Sequence, residues 1–250
     1  MKDVLLFDLV GTLVDEASDY EALDAAMEAA RFRFGIAEPA SALSGDFSLA
    51  LMEILRAEEP GDAGSAPPPA PAEFVPFEEA AQEVFAAVME VRGIEVSASD
   101  AAWFWATFVQ VQKKLIRLHP DAKNALEWAR RHGHRVIVLT DADPYLTRDI
   151  LPATGIVDMW DDVITAAEAG YAKPEAPIFR LALERAGVPA SRAIMIGDSY
   201  ERDVLGARAA GIPRAILVDR HRVRTIDDVP VITTLDALPA ALARLAPSMN

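Results

Sequence analysis

A chain of 250 residues, 52% of them hydrophobic, is long enough to bury the core of one large domain or two modest ones. It contains no cysteine, which excludes disulfides, thiolate metal sites and a thiol nucleophile. The net charge of −15 is uneven: residues 16–115 hold 18 Asp and Glu against 6 Lys and Arg, and the remainder 21 against 18, so most of the surface would repel nucleic acid.

The first element is the apolar run Val4-Leu5-Leu6-Phe7, which reads as a buried parallel strand ending at Asp8 and followed by Leu9-Val10-Gly11-Thr12-Leu13. It follows Met1-Lys2-Asp3 with no small-residue cleavage site, and no stretch approaches the roughly 18 to 20 apolar residues of a membrane span, so a cytoplasmic protein without membrane contact is expected. Residues 19–34 place Leu23, Ala26, Met27, Ala30 and Phe34 on one helical face, closed by Gly35, and residues 49–55 suggest a short helix. Residues 57–76, rich in Pro, Gly and Ala, read as an extended loop and solvated spacer. Helical periodicity resumes over 77–91 and 99–118, where Trp103, Phe104, Trp105 and Phe108 read as core packing. Residues 16–115 are therefore expected to form an all-helical insert.

From His119 the texture alternates. Pro120-Asp121 opens a helix that ends at Gly133; Val136-Ile137-Val138-Leu139 is a strand ending in Thr140-Asp141; a short strand covers 163–165. Lys173-Pro174 is expected to start a helix, continued over 178–186; Ala193-Ile194-Met195-Ile196 is a strand ending in Gly197-Asp198; residues 201–210 read as a helix and 215–218 as a further strand. The cluster Arg220-His221-Arg222-Val223-Arg224 reads as a surface loop. Alternating strands and helices predict an α/β fold, a Rossmann-like parallel sheet flanked by helices, built from residues 1–15 and 116–250 around the inserted helical domain.

Three strands thus end in polar groups, at Asp8, Thr140 and Gly197-Asp198, with Asp203 a turn beyond and Lys173 available. Ligands of open α/β sheets bind at such strand ends. Carboxylates with a lysine and a hydroxyl suit a hard divalent cation and a phosphoryl group, and oxygen ligands of this kind favour Mg²⁺.

The order Phe7-Asp8-Leu9-Val10-Gly11-Thr12-Leu13, Val138-Leu139-Thr140, Lys173-Pro174 and Ile196-Gly197-Asp198-Ser199-Tyr200-Glu201-Arg202-Asp203 resembles the haloacid dehalogenase-like hydrolase superfamily over essentially the whole chain. The helical insert resembles that family's first-type cap domain. The resemblance implies a phosphatase of small phosphorylated molecules working through an aspartyl-phosphate. Asp8 would be the nucleophile; Thr140, Asp141 and Lys173 would bind the phosphoryl; Mg²⁺ would sit on Asp8, the Val10 carbonyl, Asp198 and Asp203.

One departure stands out. Phosphatases of the family carry a second Asp two residues after the nucleophile, as general acid and base, and here that position is Val10. Losing such a group typically lowers a rate by about 10²–10⁴. Asp15, Asp141 and Asp143 are the nearest replacements in sequence. Two alternatives stay open: an L-2-haloacid dehalogenase-type hydrolase, with Arg31 and Arg33 as carboxylate binders, and a catalytically weak phosphate-binding protein.

Overall fold

Val4, Leu5, Leu6 and Phe7 form strand β1 (Val4–Phe7), and all four side chains are buried because the strand has neighbours on both edges and cover on both faces. The structure is a computed structural model describing residues 3–57, 75–222 and 226–245. Residues 58–74 of the proline-rich loop, with Val223 and Arg224, lie outside the described residues. The chain divides into two compact units, Met1–Asp15 with Arg117–Asn250, and Glu16–Ile116.

The second unit is helical: α1 (Ala17–Phe34), α2 (Ala40–Ala57), α3 (Phe77–Glu90) and α4 (Ala98–Leu115). In α1 the small residues Ala22, Ala26 and Ala30 share a buried face with Leu23 and Met27, which lets α4 approach closely. The helix stops at Gly35, left-handed at φ 68°, whose N–H bonds to the Arg31 carbonyl. Helix α2 begins well before residue 49 because Leu43 and Phe47, four apart, are both buried. A capping box opens α4: the Ser97 hydroxyl accepts from Asp100 N, and the Asp100 carboxylate accepts from Ser97 N. Phe104, Trp105 and Phe108 are core, as expected, Phe85 stacking on Phe104 at 4.1 Å and Trp105 on Phe108 at 5.5 Å, whereas Trp103 is only half-buried. Gln112 on α4 donates to Asp19 on α1 at 2.7 Å.

The first unit carries the sheet. After α5 (Ala122–Arg131) come β2 (Arg135–Thr140), β3 (Asp162–Thr165), the short α6 (Ala166–Ala169) and α7 (Ala176–Ala186). Then follow β4 (Ala193–Gly197), α8 (Gly206–Ala209), β5 (Ala215–Val218), β6 (Val231–Ile232) and α9 (Leu238–Leu245). All six strands are parallel in the order β3-β2-β1-β4-β5-β6, and Leu5 of β1 faces Val136 on one side and Ile194 on the other. The chain therefore steps outward through β2 and β3 and returns to the far side of β1 with β4. The crevice between the carboxyl ends of β1 and β4 is the point where a parallel sheet of this order binds ligands.

Two expectations need correction. Lys173 does not start a helix: it lies in a turn, with a cis bond to Pro174, and α7 begins at Ala176. The stretch 201–210 is helical, as expected, but it opens as a π-helical turn, Tyr200–Leu205, before α8. Arg220 is not a solvated loop residue, being largely buried against Asp121. No described helix is long and apolar enough to cross a membrane.

Candidate active site

Asp8 follows β1 directly, and its N–H still pairs with the Ile196 carbonyl of β4 at 2.9 Å, so the sheet itself fixes where its side chain begins. Both carboxylate oxygens are engaged. Thr12 Oγ1 donates to Oδ2 at 2.9 Å and Lys173 Nζ donates to Oδ1 at 2.6 Å. Thr12 reaches back because the loop closes on itself: Leu13 and Val14 N–H both bond the Leu9 carbonyl at 2.8 Å, and Gly11 N–H bonds the Val14 carbonyl at 2.8 Å. Gly11 takes φ +90°, and a Cβ there would fall inside the Asp198 carboxylate, so only glycine fits. Arg220 fastens the same loop from outside, donating to the Thr12 carbonyl at 2.7 Å.

Lys173 is the hub. Its Nζ donates to Asp8 and, at 2.7 Å, to Asp203 Oδ1, while its backbone N–H donates to Asp141 Oδ1 at 2.7 Å. Burial alone would weaken its proton affinity, but Asp203, Asp8 and Asp141 outweigh that and raise its pKa further above the ordinary lysine value. Asp203 is buried on the π-helical turn, with Oδ2 accepting from Ser199 N–H at 3.0 Å. That turn begins where β4 ends, and Gly197 makes room for it: a Cβ there would collide with the Asp203 side chain.

Asp198 differs from the other carboxylates. Among the described residues its buried Oδ1 has no hydrogen-bond partner. Burial, with the like charges of Asp8 and Asp203, pushes its pKa up to about 7. Asp203 is also raised, burial outweighing the neighbouring lysine. Asp8, Asp198 and Asp203 each offer an oxygen within 4.8 Å of the others. An orphaned buried carboxylate oxygen beside two more carboxylates is a donor set short of positive charge, and a hard divalent cation fits it.

Thr140 closes β2, buried, and its hydroxyl accepts from Ala142 N–H at 3.1 Å. Val10 lies two residues past Asp8, half-buried, bridged through its backbone to Val14. Of the acids weighed as its replacement, Asp15 accepts from Arg117 Nε at 2.8 Å and Asp141 accepts from Lys173 N–H at 2.7 Å. Asp143 is buried.

Asp8, Asp141, Lys173, Asp198 and Asp203 are thus clustered, with Thr140 on the adjoining strand. Sequence reasoning missed Thr12 as a partner of Asp8, and it missed Arg202, whose Nη1 lies 3.6 Å from Asp141 Oδ2. A cation inside the Gly197-to-Asp203 stretch was the available signal for the latter. Arg31 and Arg33 are engaged within the helical unit. Arg31 pairs with Glu28 at 2.7 Å, and Arg33 pairs with Asp100 at 2.7 Å while lying 4.4 Å over the Trp103 ring.

A family model described as haloacid dehalogenase-like hydrolase matches residues 2–211. The chain is 38% identical over 109 residues to a phosphoserine phosphatase of Thermus thermophilus, an alignment covering 44% of this chain and 43% of that protein. The chain spans about half the length, or slightly less, of the curated relatives it matches. Among solved structures, a putative HAD-hydrolase YfnB from Bacillus subtilis, bound to magnesium, superposes with a TM-score of 0.76 at 20% identity, covering 97% and 100% of the two chains. An L-2-haloacid dehalogenase from Xanthobacter autotrophicus superposes at 0.70 and 19% identity, covering 98% and 100%. Both share the fold.

Proposed function

Since the chain belongs to the haloacid dehalogenase-like hydrolase family, we propose that it is a phosphatase that hydrolyses phosphate monoesters of small molecules through attack by Asp8. The observation that carries this reading is the orphaned carboxylate oxygen of Asp198 beside Asp8 and Asp203. A displacement on carbon needs no cation, and three mutually close carboxylates would only burden it; a displacement on phosphorus benefits from one. The phosphatase name of the Thermus thermophilus relative points the same way.

In this reading an Asp8 oxygen attacks phosphorus and the ester oxygen leaves with its electron pair. Water then attacks the phosphorus of the aspartyl-phosphate, releasing inorganic phosphate and restoring the carboxylate. Thr12 and Lys173 hold the attacking group in one orientation, and Lys173 offsets charge on Asp8 that would otherwise repel the phosphate. Thr140 and Asp141 flank the phosphoryl position. The Asp8 carboxylate, the Val10 carbonyl, Asp198 and Asp203 would hold Mg²⁺, which neutralises phosphate oxygens when bound. The helical unit, Glu16–Ile116, serves as the cap domain that sets substrate choice.

With Val10 in place of an acid, leaving groups that depart unprotonated should be favoured. The test is turnover of phenyl phosphate and of an alkyl phosphate of similar size, with Mg²⁺ and with a chelator, using Asp8→Asn as the inactive control. Mg²⁺-dependent turnover of the aryl ester, with the alkyl ester at least about 10²-fold slower, supports the proposal. Turnover of neither ester, with chloride released from 2-haloacids, replaces it by the dehalogenase reading. The pairing of Arg31 with Glu28 and of Arg33 with Asp100 disfavours that reading, since both candidate carboxylate binders are already partnered.

A further inference from the structure

Arg202 is a cation at the site that no step above uses. It lies on the π-helical turn after β4, and its one ion pair among the described residues is with Asp141, which follows β2. Strands β2 and β4 flank β1 on opposite sides, so this pair spans the end of β1, where Asp8 stands. Neighbouring strands are about 4.8 Å apart, a total width that an extended arginine can bridge.

The pair is loose. At 3.6 Å it is longer than the roughly 2.7–3.2 Å of a hydrogen bond, and 47% of the Arg202 side chain is exposed. A guanidinium has five N–H donors in a planar fork, and here none is spent on a close acceptor. Lys173 is the opposite case, its side chain 1% exposed and bonded to two carboxylates. Burial works against the Arg202 charge, but Asp141, Asp8, Asp203 and Asp198 more than restore it. The site therefore holds one cation saturated at the nucleophile and a second, permanently charged, with its fork open.

We propose that Arg202 binds a carboxylate carried by the substrate beside its phosphoryl group, so that the enzyme selects phosphorylated small acids over uncharged phosphate esters. The proposal rests on the phosphatase reading and deepens it. Asp141 holds the guanidinium across the strand end when no substrate is bound. A substrate carboxylate exchanges that long contact for two direct hydrogen bonds in the bidentate geometry arginine favours.

The test uses aryl esters, whose leaving groups depart without an acid: 3- and 4-carboxyphenyl phosphate beside phenyl phosphate, in Mg²⁺, with the whole 250-residue chain. The expected result is a kcat/KM at least tenfold higher for one carboxylated ester than for phenyl phosphate. Arg202→Gln should bring that ratio close to one, mainly through KM, and Arg202→Lys should recover part of it. A wild-type ratio near one overturns the proposal. So does a ratio that survives Arg202→Gln, and so does an equal loss on all three esters, which would place Arg202 at the phosphoryl group. Absence of turnover of every ester by the wild-type protein overturns the phosphatase reading, and this proposal with it. The exposure of the side chain makes both variants compatible with folding, and their thermal midpoints check this directly.

Discussion

Asp8 has both oxygens held, by Thr12 and by Lys173, so its orientation is settled before any substrate arrives. Under the proposed mechanism the departing oxygen limits the reaction, because the position two residues after Asp8 is Val10 rather than an acid. Val10→Asp should raise kcat on an alkyl phosphate by about 10-fold or more while changing the aryl ester much less. Unchanged or lower alkyl turnover in a folded variant would remove the account of the missing acid. Asp198 carries a second prediction. Its unpartnered oxygen should make the protein measurably more heat-stable in Mg²⁺, because a ligand that binds only the folded state stabilises it. Asp198→Asn removes the charge and should abolish the Mg²⁺-dependent rise in Tm; a rise that persists in the variant would put the cation elsewhere.

Between elements, the firmest polar junction is the one around Asp121, at the start of α5. Arg220 donates to both of its oxygens at 3.0 Å, and Thr234 Oγ1 and Leu235 N–H each donate at 2.7 Å. Arg220 also holds the Thr12 carbonyl, so the junction ties the end of β5, the loop before α9 and the loop after β1 together. Burial pushes the Asp121 pKa up, but the bonds from Arg220, Thr234 and Leu235 prevail and bring it down to about 2 from 3.8. A carboxyl depressed in the folded state adds stability above its unfolded pKa and loses it as pH falls. The window here is pH 4 down to 2, and the contribution about 1–2 kcal/mol. Asp121→Ala should lower stability at pH 7 by about 3 kcal/mol, since Arg220 loses its buried partner. It should also flatten the loss of stability between pH 4 and 2 in urea titrations; a variant with the wild-type acid slope would refute this assignment.

These junctions show where reading a sequence stops. Strands β1, β2, β4 and β5 were legible because each is an apolar run covered on both faces. Strand β6 is only Val231–Ile232 beside Pro230, too short to carry a pattern, and it exists because β5 offers it an edge. The π-helical turn follows from Asp203 being drawn to Lys173 and to Ser199 N–H, tertiary bonds that override local helical periodicity. The carboxylates and lysine of the candidate site could be listed from motif order, but the engagement of Arg220 could not. Its partner Asp121 is 99 positions away, and Arg-His-Arg-Val-Arg has the composition of a solvated loop.

For the molecule as a whole, charge is the conspicuous asymmetry. Residues 16–115 carry 18 acidic against 6 basic side chains, a net of −12. Arg92 answers part of it by pairing with Glu38 at 2.7 Å and Asp46 at 2.6 Å. Self-repulsion of that size is screened by salt, whose Debye length shrinks from about 30 Å at 0.01 M to about 8 Å at 0.15 M. The thermal midpoint should therefore rise with NaCl over that range. A fall would mean that surface pairs such as those of Arg92 outweigh the repulsion.

The sheet order also sets a timetable. Val4 of the central strand pairs with Arg135 on one side and Ala193 on the other, and the whole helical unit is synthesised in between. At about 5–20 residues per second, the strand that leads into Asp8 leaves the ribosome on the order of ten seconds before either neighbour exists. During that interval Val4-Leu5-Leu6-Phe7 is an unpaired apolar segment, while the helices, whose contacts are local, can already fold. The candidate site can therefore close only once Asp203 has been made, about 195 residues after Asp8, and until β2 is made the nascent chain carries this strand unpaired.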